Sequence, residues 1–158
     1  MASTDHVISS ATRATPQYHP TNLGVARTNH ALVLVGRIAI AALFIWSGLG
    51  KLMGGLEGTA GYIASQGLPM PMVLAALTVA LELGGGLLLA LGWKARWVAI
   101  LLALWLIPTT LIFHRFWGDV PAAQVMSQQI NFYKNVAIFG GMLLLAGFGP
   151  GRFSIDRS

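Results

Sequence analysis

Five polar residues stand in or beside apolar runs that have no need of them. Glu82 interrupts a run from about Met70 to Leu91. It lies about 12 residues in, or about 18 Å along a helix rising 1.5 Å per residue. A bilayer core is about 30 Å thick, so the carboxylate falls near its centre. An ionisable group there costs at least about 2.5 kcal/mol on insertion scales. Lys134 and Asn135 open the last apolar run, Lys51 closes the first, and His114 closes the third. Carboxylate, ammonium and imidazole together can carry protons or hold a ligand that has acceptor oxygens. The face of Glu82 also carries Ala75, Thr78, Gly85 and Gly86, small residues that admit a flat ligand or a close helix. Ala76, Ala80 and Gly84 form a second small stripe nearly opposite, the pattern of a helix that contacts neighbours on both sides or joins a homodimer.

The elements that must position these residues are membrane helices. Of 158 residues, 55% are hydrophobic and only 9% charged, against about 25% charged in soluble domains. Mean hydropathy is +0.67. Segment one runs from Ala31 to about Gly50, segment two from about Met70 to Leu91, segment three from Trp97 to Phe113. Pro108 predicts a kink in the third. The fourth has a short clean run, Val136 to Phe148, and spans only by starting near Gln129 and taking Lys134 and Asn135 into the membrane. The breaks are Gly67-Leu68-Pro69-Met70-Pro71, the basic turn Gly92 to Trp97, and Gly149-Pro150-Gly151. The expected fold is an all-α integral membrane protein, a bundle of four transmembrane helices over residues 31–149. Residues 1–30, polar and without periodicity, read as a disordered cytoplasmic tail; residues 150–158 read as a short cytoplasmic C-terminal tail.

Lys and Arg set the orientation. With the N-terminus inside, the inner side holds Arg13, Arg27, Arg37, Lys94, Arg96, Arg152 and Arg157; the outer side holds Lys51, Arg115 and Lys134. Basic residues are retained in the cytoplasm, which favours N-in, C-in. The scattered charge makes no nucleic-acid patch. With no cysteine, disulfide, dithiol and Cys-ligated cluster chemistry are excluded for this chain. His30 and His114 fall at opposite membrane faces and cannot share a haem iron within a monomer, and no metal or flavin motif is evident.

In this orientation Lys51, His114 and Lys134 all fall in the outer half, above Glu82. The expectation is a cation-rich cavity that opens outward, with Glu82 at its floor. Lys134, about 7 to 8 Å shallower, is the expected partner of Glu82, as a structural ion pair or as a proton or ligand site. Lys51 and Arg37 read as snorkelling residues with their charges at the two interfaces, and His114 as interfacial.

Five motifs carry a family resemblance: Ser47-Gly48-Leu49-Gly50-Lys51-Leu52, Glu82-Leu83-Gly84-Gly85-Gly86, Phe113-His114-Arg115-Phe116-Trp117, Phe132-Tyr133-Lys134-Asn135 before Gly140-Gly141, and Gly149-Pro150-Gly151-Arg152-Phe153-Ser154-Ile155-Asp156. In this order the chain resembles the DoxX family of bacterial inner-membrane proteins, most of all its YqjF type, from about Gly36 to Arg157. The resemblance implies a multi-pass protein of the bacterial plasma membrane and a link to quinone-dependent oxidoreductase chemistry in redox or stress metabolism. On that implication Glu82 and Lys134 are the catalytic candidates, and Lys51, His114, Asn135, Gly85 and Gly86 line the quinone, with Lys134 and His114 donating to its carbonyl oxygens. A soluble or membrane redox partner would exchange the electrons. Two other classes stay open: a proton-coupled small-solute transporter, and a scaffold that holds soluble partners through Arg152 to Ser158 and the Lys94–Arg96 turn.

Overall fold

The computed structural model describes the backbone of residues 21–156 and the side chains from His30 onward. Five helices follow one another: α1 (Thr21–Met53), α2 (Leu56–Ser65), α3 (Pro71–Leu91), α4 (Ala95–Phe113) and α5 (Ala122–Phe148). The described residues contain no strand. Four stretches are long and apolar enough to cross a bilayer: His30–Met53, Pro71–Leu91, Ala95–Phe113 and Ala122–Phe148. The fold is therefore the expected four-span bundle, with α2 as an additional short helix between the first two spans.

Two helix starts and one whole helix differ from expectation. α1 begins at Thr21 rather than Ala31; residues 1–20 of the expected tail lie outside the described residues. α5 begins at Ala122, two turns before Gln129, so Lys134 and Asn135 sit well inside a helix of 27 residues. α2 had no expected counterpart. α4 runs through Pro108 as one helix. The Thr109 and Thr110 hydroxyls donate to the Trp105 and Leu106 carbonyls beside the proline, at 2.9 and 2.6 Å.

Helix ends follow local chemistry. Pro71 needs no N–H at the first position of α3. Gly92, at φ +70°, ends α3 in the left-handed conformation that costs a residue without Cβ little, and its N–H returns to the last turn. Gly149, at φ +88°, stops α5.

Small side chains decide which helices meet. A Cβ on Gly48 would lie 3.0 Å from the Leu83 backbone nitrogen, and one on Gly86 would lie 3.1 Å from both the Ala41 carbonyl oxygen and the Ile45 nitrogen. α1 and α3 thus touch backbone to backbone at two places, which is how spans associate when lipid supplies no hydrophobic drive. α5 packs chiefly on α4 and meets α1 lightly, with no packing on α3. The core joins Ala41, Phe44, Leu89, Ala99, Leu102 and Met142. Trp46, Trp97, Leu104, Leu144 and Phe148 point outward to the lipid-facing surface.

Gly86→Val should lower the melting temperature in detergent. The added carbons meet backbone that cannot retreat, an overpacking cost of about 1–3 kcal/mol. Gly84→Ala, with nothing within 4 Å of the new Cβ, should be neutral or raise it, because Ala favours helix. Equal melting of both variants would refute the α1–α3 contact.

Candidate functional site

The Gly48 contact carries the end of α1 past Glu82, and Lys51 follows one turn later. Its ammonium lies 2.7 and 3.0 Å from the two Glu82 carboxylate oxygens and 2.6 Å from the Ser47 hydroxyl. All three ammonium protons are thereby committed. The Glu82 side chain is 10% exposed and that of Lys51 29%. This corrects two expectations. The partner of Glu82 is Lys51, and Lys51 is a partly buried ion-pair member rather than an interfacial anchor. Lys134 instead donates to Asn131 at 2.8 Å within its own helix. The reason is helix adjacency: α1 packs on α3, whereas α5 does not.

Arg37 is also corrected. It is 2% exposed and does not snorkel. Its guanidinium donates to the carbonyls of Pro150 (2.6 Å), Phe153 and Ala90. The chain after α5 folds back across the α3–α4 turn, where the Ile155 and Asp156 N–H groups donate to the Leu91 and Gly92 carbonyls. Gly92 leaves room for it, since a Cβ there would strike Ser154 and Arg37. Residues 150–156 are thus docked on the bundle. Arg37 lies in α1 well before Lys51, so this end of the bundle is far from the ion pair.

At the Lys51 end, a cavity of about 330 Å³ opens between α1, α2, α3, α4 and α5. Lys51, Glu82, His114, Lys134 and Asn135 all line it. Five of the seven residues singled out from the sequence therefore converge on one space. Gly85 and Gly86 do not: Gly85 packs under Leu102, and Gly86 against Ile45 and Ala41. Their small size serves helix contact, not a ligand. Phe44, Tyr62, Trp105 and Phe113 give the cavity aromatic walls. The indole N–H of Trp105 has no partner among the described residues.

His114 places Nδ1 3.1 Å from Gln128 Oε1. In the neutral ring Nδ1 then carries the proton and Nε2 is left as an acceptor, the reverse of the donor role expected from the sequence. Burial is the main cause holding the His114 pKa below its usual value; the Lys134 and Lys51 ammoniums act in the same direction, against the Gln128 bond. The sign for stability follows. The unfolded state binds the proton more readily, so stability from this group is full above the unfolded pKa of about 6.5 and declines as pH falls through the lower folded value. NMR titration of His114 should give a midpoint below that of a free imidazole, and Lys134→Met should move it upward. A midpoint at or above the free value would refute the half-buried neutral ring.

Asn135 donates to the Thr110 hydroxyl at 3.0 Å, and both are buried. Tyr62, Thr59 and Ile63 come from α2, and Tyr62 also donates to the Phe113 carbonyl at 3.2 Å. Sequence reasoning missed these with α2 itself. It also missed Trp105, whose signal was a tryptophan far from either end of its span. Among the described residues no three His, Cys, Asp or Glu groups stand together as metal ligands.

The sequence profile of the DoxX family matches residues 32–115. The Escherichia coli (strain K12) inner membrane protein YphA is 42% identical over 136 residues, covering 86% of this chain and 94% of YphA. The chain belongs to the DoxX family. Inner membrane protein YqjF of the same organism is 39% identical over 125 residues, 79% of this chain and 89% of YqjF. A shorter similarity, 30% over 80 residues, reaches the ER-derived vesicles protein ERV29 of Saccharomyces cerevisiae, covering 51% of this chain and 26% of that one. No solved structure matches. This DoxX chain is thus a multi-pass protein of the bacterial inner membrane. The profile spans Arg37, Lys51, Glu82 and His114, while Lys134 and Asn135 lie beyond it.

Proposed function

We propose that this DoxX chain is the quinone-binding subunit of a membrane oxidoreductase, and that the cavity at the Lys51 end receives the quinone ring. The observation that supports it is the convergence of a buried carboxylate, an imidazole and two ammoniums on one aromatic-walled space. The cavity volume lies in the range of small-ligand sites, about 300–1,000 Å³. The aromatic walls suit a flat ring, and the unpartnered Trp105 N–H is a donor awaiting an acceptor.

A bound quinone supplies two-electron, two-proton redox chemistry. The chain's residues supply the rest. Lys134 spends one N–H on Asn131 and has two left for a carbonyl oxygen. His114 Nε2 accepts from a hydroxyl, so the same wall serves both oxidised and reduced rings. Glu82 is the only carboxylate among the residues lining the cavity and carries the proton. Lys51 has no free N–H, so it positions the Glu82 carboxyl group rather than touching the ring. Electrons pass to a soluble or membrane redox partner. The excess of Lys and Arg at the Arg37 end supports placing that end in the cytoplasm, with the cavity opening outward. The Ala76 and Ala80 faces of α3 are exposed, which leaves room for a homodimer.

Protein purified in mild detergent should retain quinone close to one per chain, and Glu82→Gln should retain well under half of that. Quinone at detergent background in the wild type, with and without cell extract, would end this reading.

A further inference from the structure

A second, smaller space lies beside the cavity. Between α4 and α5 a groove of about 160 Å³ is lined by Ile107, Leu111, Phe132, Val136 and Phe139, with Leu106, Thr110 and Asn135 at its inner wall. Ile107, Leu111 and Val136 are 42%, 50% and 49% exposed, so the groove opens on the lipid-facing surface. Leu106 and Asn135 line both spaces. One leucine and the Asn135–Thr110 hydrogen bond therefore stand between a polar cavity and an apolar channel to the bilayer.

We propose that this groove takes the apolar chain of an amphiphile whose polar head occupies the cavity, and that Leu106, Thr110 and Asn135 form the doorway between them. The head is the ring of the preceding section, and to that extent the proposal rests on that reading. Lipid already solvates an apolar groove, so a free chain gains little by entering it. A chain tethered to a head in the cavity is held at high effective concentration, which makes the occupancy specific. Asn135 and Thr110 satisfy one another when the doorway is closed. They cost little to part if a ligand oxygen replaces the bond that is lost.

The alternative exit is a cleft beside α2, lined by Trp46, Gly50, Gly54 and Gly58, which shares Ser47, Lys51 and Thr59 with the cavity. A chain leaving there would have to pass the Lys51–Glu82 pair and separate or desolvate it. The α4–α5 route meets one neutral hydrogen bond and is favoured on that account.

The test uses two photoreactive probes on the full chain in lipid nanodiscs: a benzoquinone with a diazirine on an isoprenoid tail, and a fatty acid with the same group on its chain. Crosslinked residues are mapped by mass spectrometry. The expected result is labelling at Leu111, Val136 and Phe139 at least about tenfold above exposed lipid-facing positions such as Leu32 and Leu144, suppressed by excess tail-less quinone. Val136→Trp, which narrows the groove without touching the cavity, should reduce labelling at Leu111 and Phe139. Enrichment with the fatty acid but not with the quinone would uphold the groove and remove the quinone. Enrichment at Trp46 and Gly58, or even labelling of all lipid-facing positions by both probes, would overturn the groove whatever the head group is.

Discussion

Lys51→Met should destabilise the protein by about 3–5 kcal/mol, and Lys51→Met combined with Glu82→Leu should recover most of the loss. The single substitution leaves the Glu82 carboxylate 10% exposed with the nearest ammonium gone. The Ser47 hydroxyl, which Lys51 also holds, cannot replace a charge. The double substitution removes both charges and fills the space with carbon, which buried pairs commonly tolerate. Thermal unfolding in one detergent, compared across wild type, both single variants and the double variant, yields the coupling as a double-mutant cycle. A Lys51→Met variant as stable as wild type would mean the carboxylate has another partner or is protonated. The same four proteins separate stability from function: a double variant that folds well but holds no quinone assigns the pair to ligand chemistry, and one that keeps its quinone assigns it to structure.

Arg37→Met should be equally costly, for a different reason. It strips donors from the carbonyls of Pro150, Phe153 and Ala90, and each buried polar group left unsatisfied costs about 1–3 kcal/mol. The loss should appear first as release of residues 150–156, read by limited proteolysis from the C-terminal side. Arg37→Lys should rescue only in part, because one ammonium cannot span three carbonyls that a planar fork reaches. Removal of everything after Gly149 should reproduce the thermal defect of Arg37→Met, since it removes the Pro150 and Phe153 carbonyls and leaves the guanidinium short of partners. Unchanged protease resistance in Arg37→Met would refute the docked C-terminal segment.

What was legible in the sequence follows from what each signal reports. The four spans were legible because a bilayer demands about 20 apolar residues for each, and the glycine and proline breaks fall between them. The cavity was legible in outline, because alternating spans assign a depth to Glu82, Lys51, His114 and Lys134. Which cation meets Glu82 was not, because depth along a helix says nothing about which helices are neighbours. Adjacency rests on the absent side chains of Gly48 and Gly86, and those glycines are outwardly like Gly84 and Gly50, which touch nothing. α2 was hidden because five glycines in and around its ten residues, Gly54, Gly55, Gly58, Gly61 and Gly67, read as loop. Arg37 sits where a snorkelling arginine would sit, and the carbonyls that hold it belong to residues 113 and 116 positions later.

That separation sets a schedule for biosynthesis. Arg37 stands in the first of the four described spans, but two of its three acceptors are made 113 and 116 residues after it. At about 5–20 residues per second, a nascent chain must hold this guanidinium without them for roughly 6–23 s. The guanidinium can take these two carbonyls only once residues 150–153 have been made. A product that stops before Pro150 lacks both acceptors, so Arg37 should be more open to solvent in such a product than in one that carries residues 150–156.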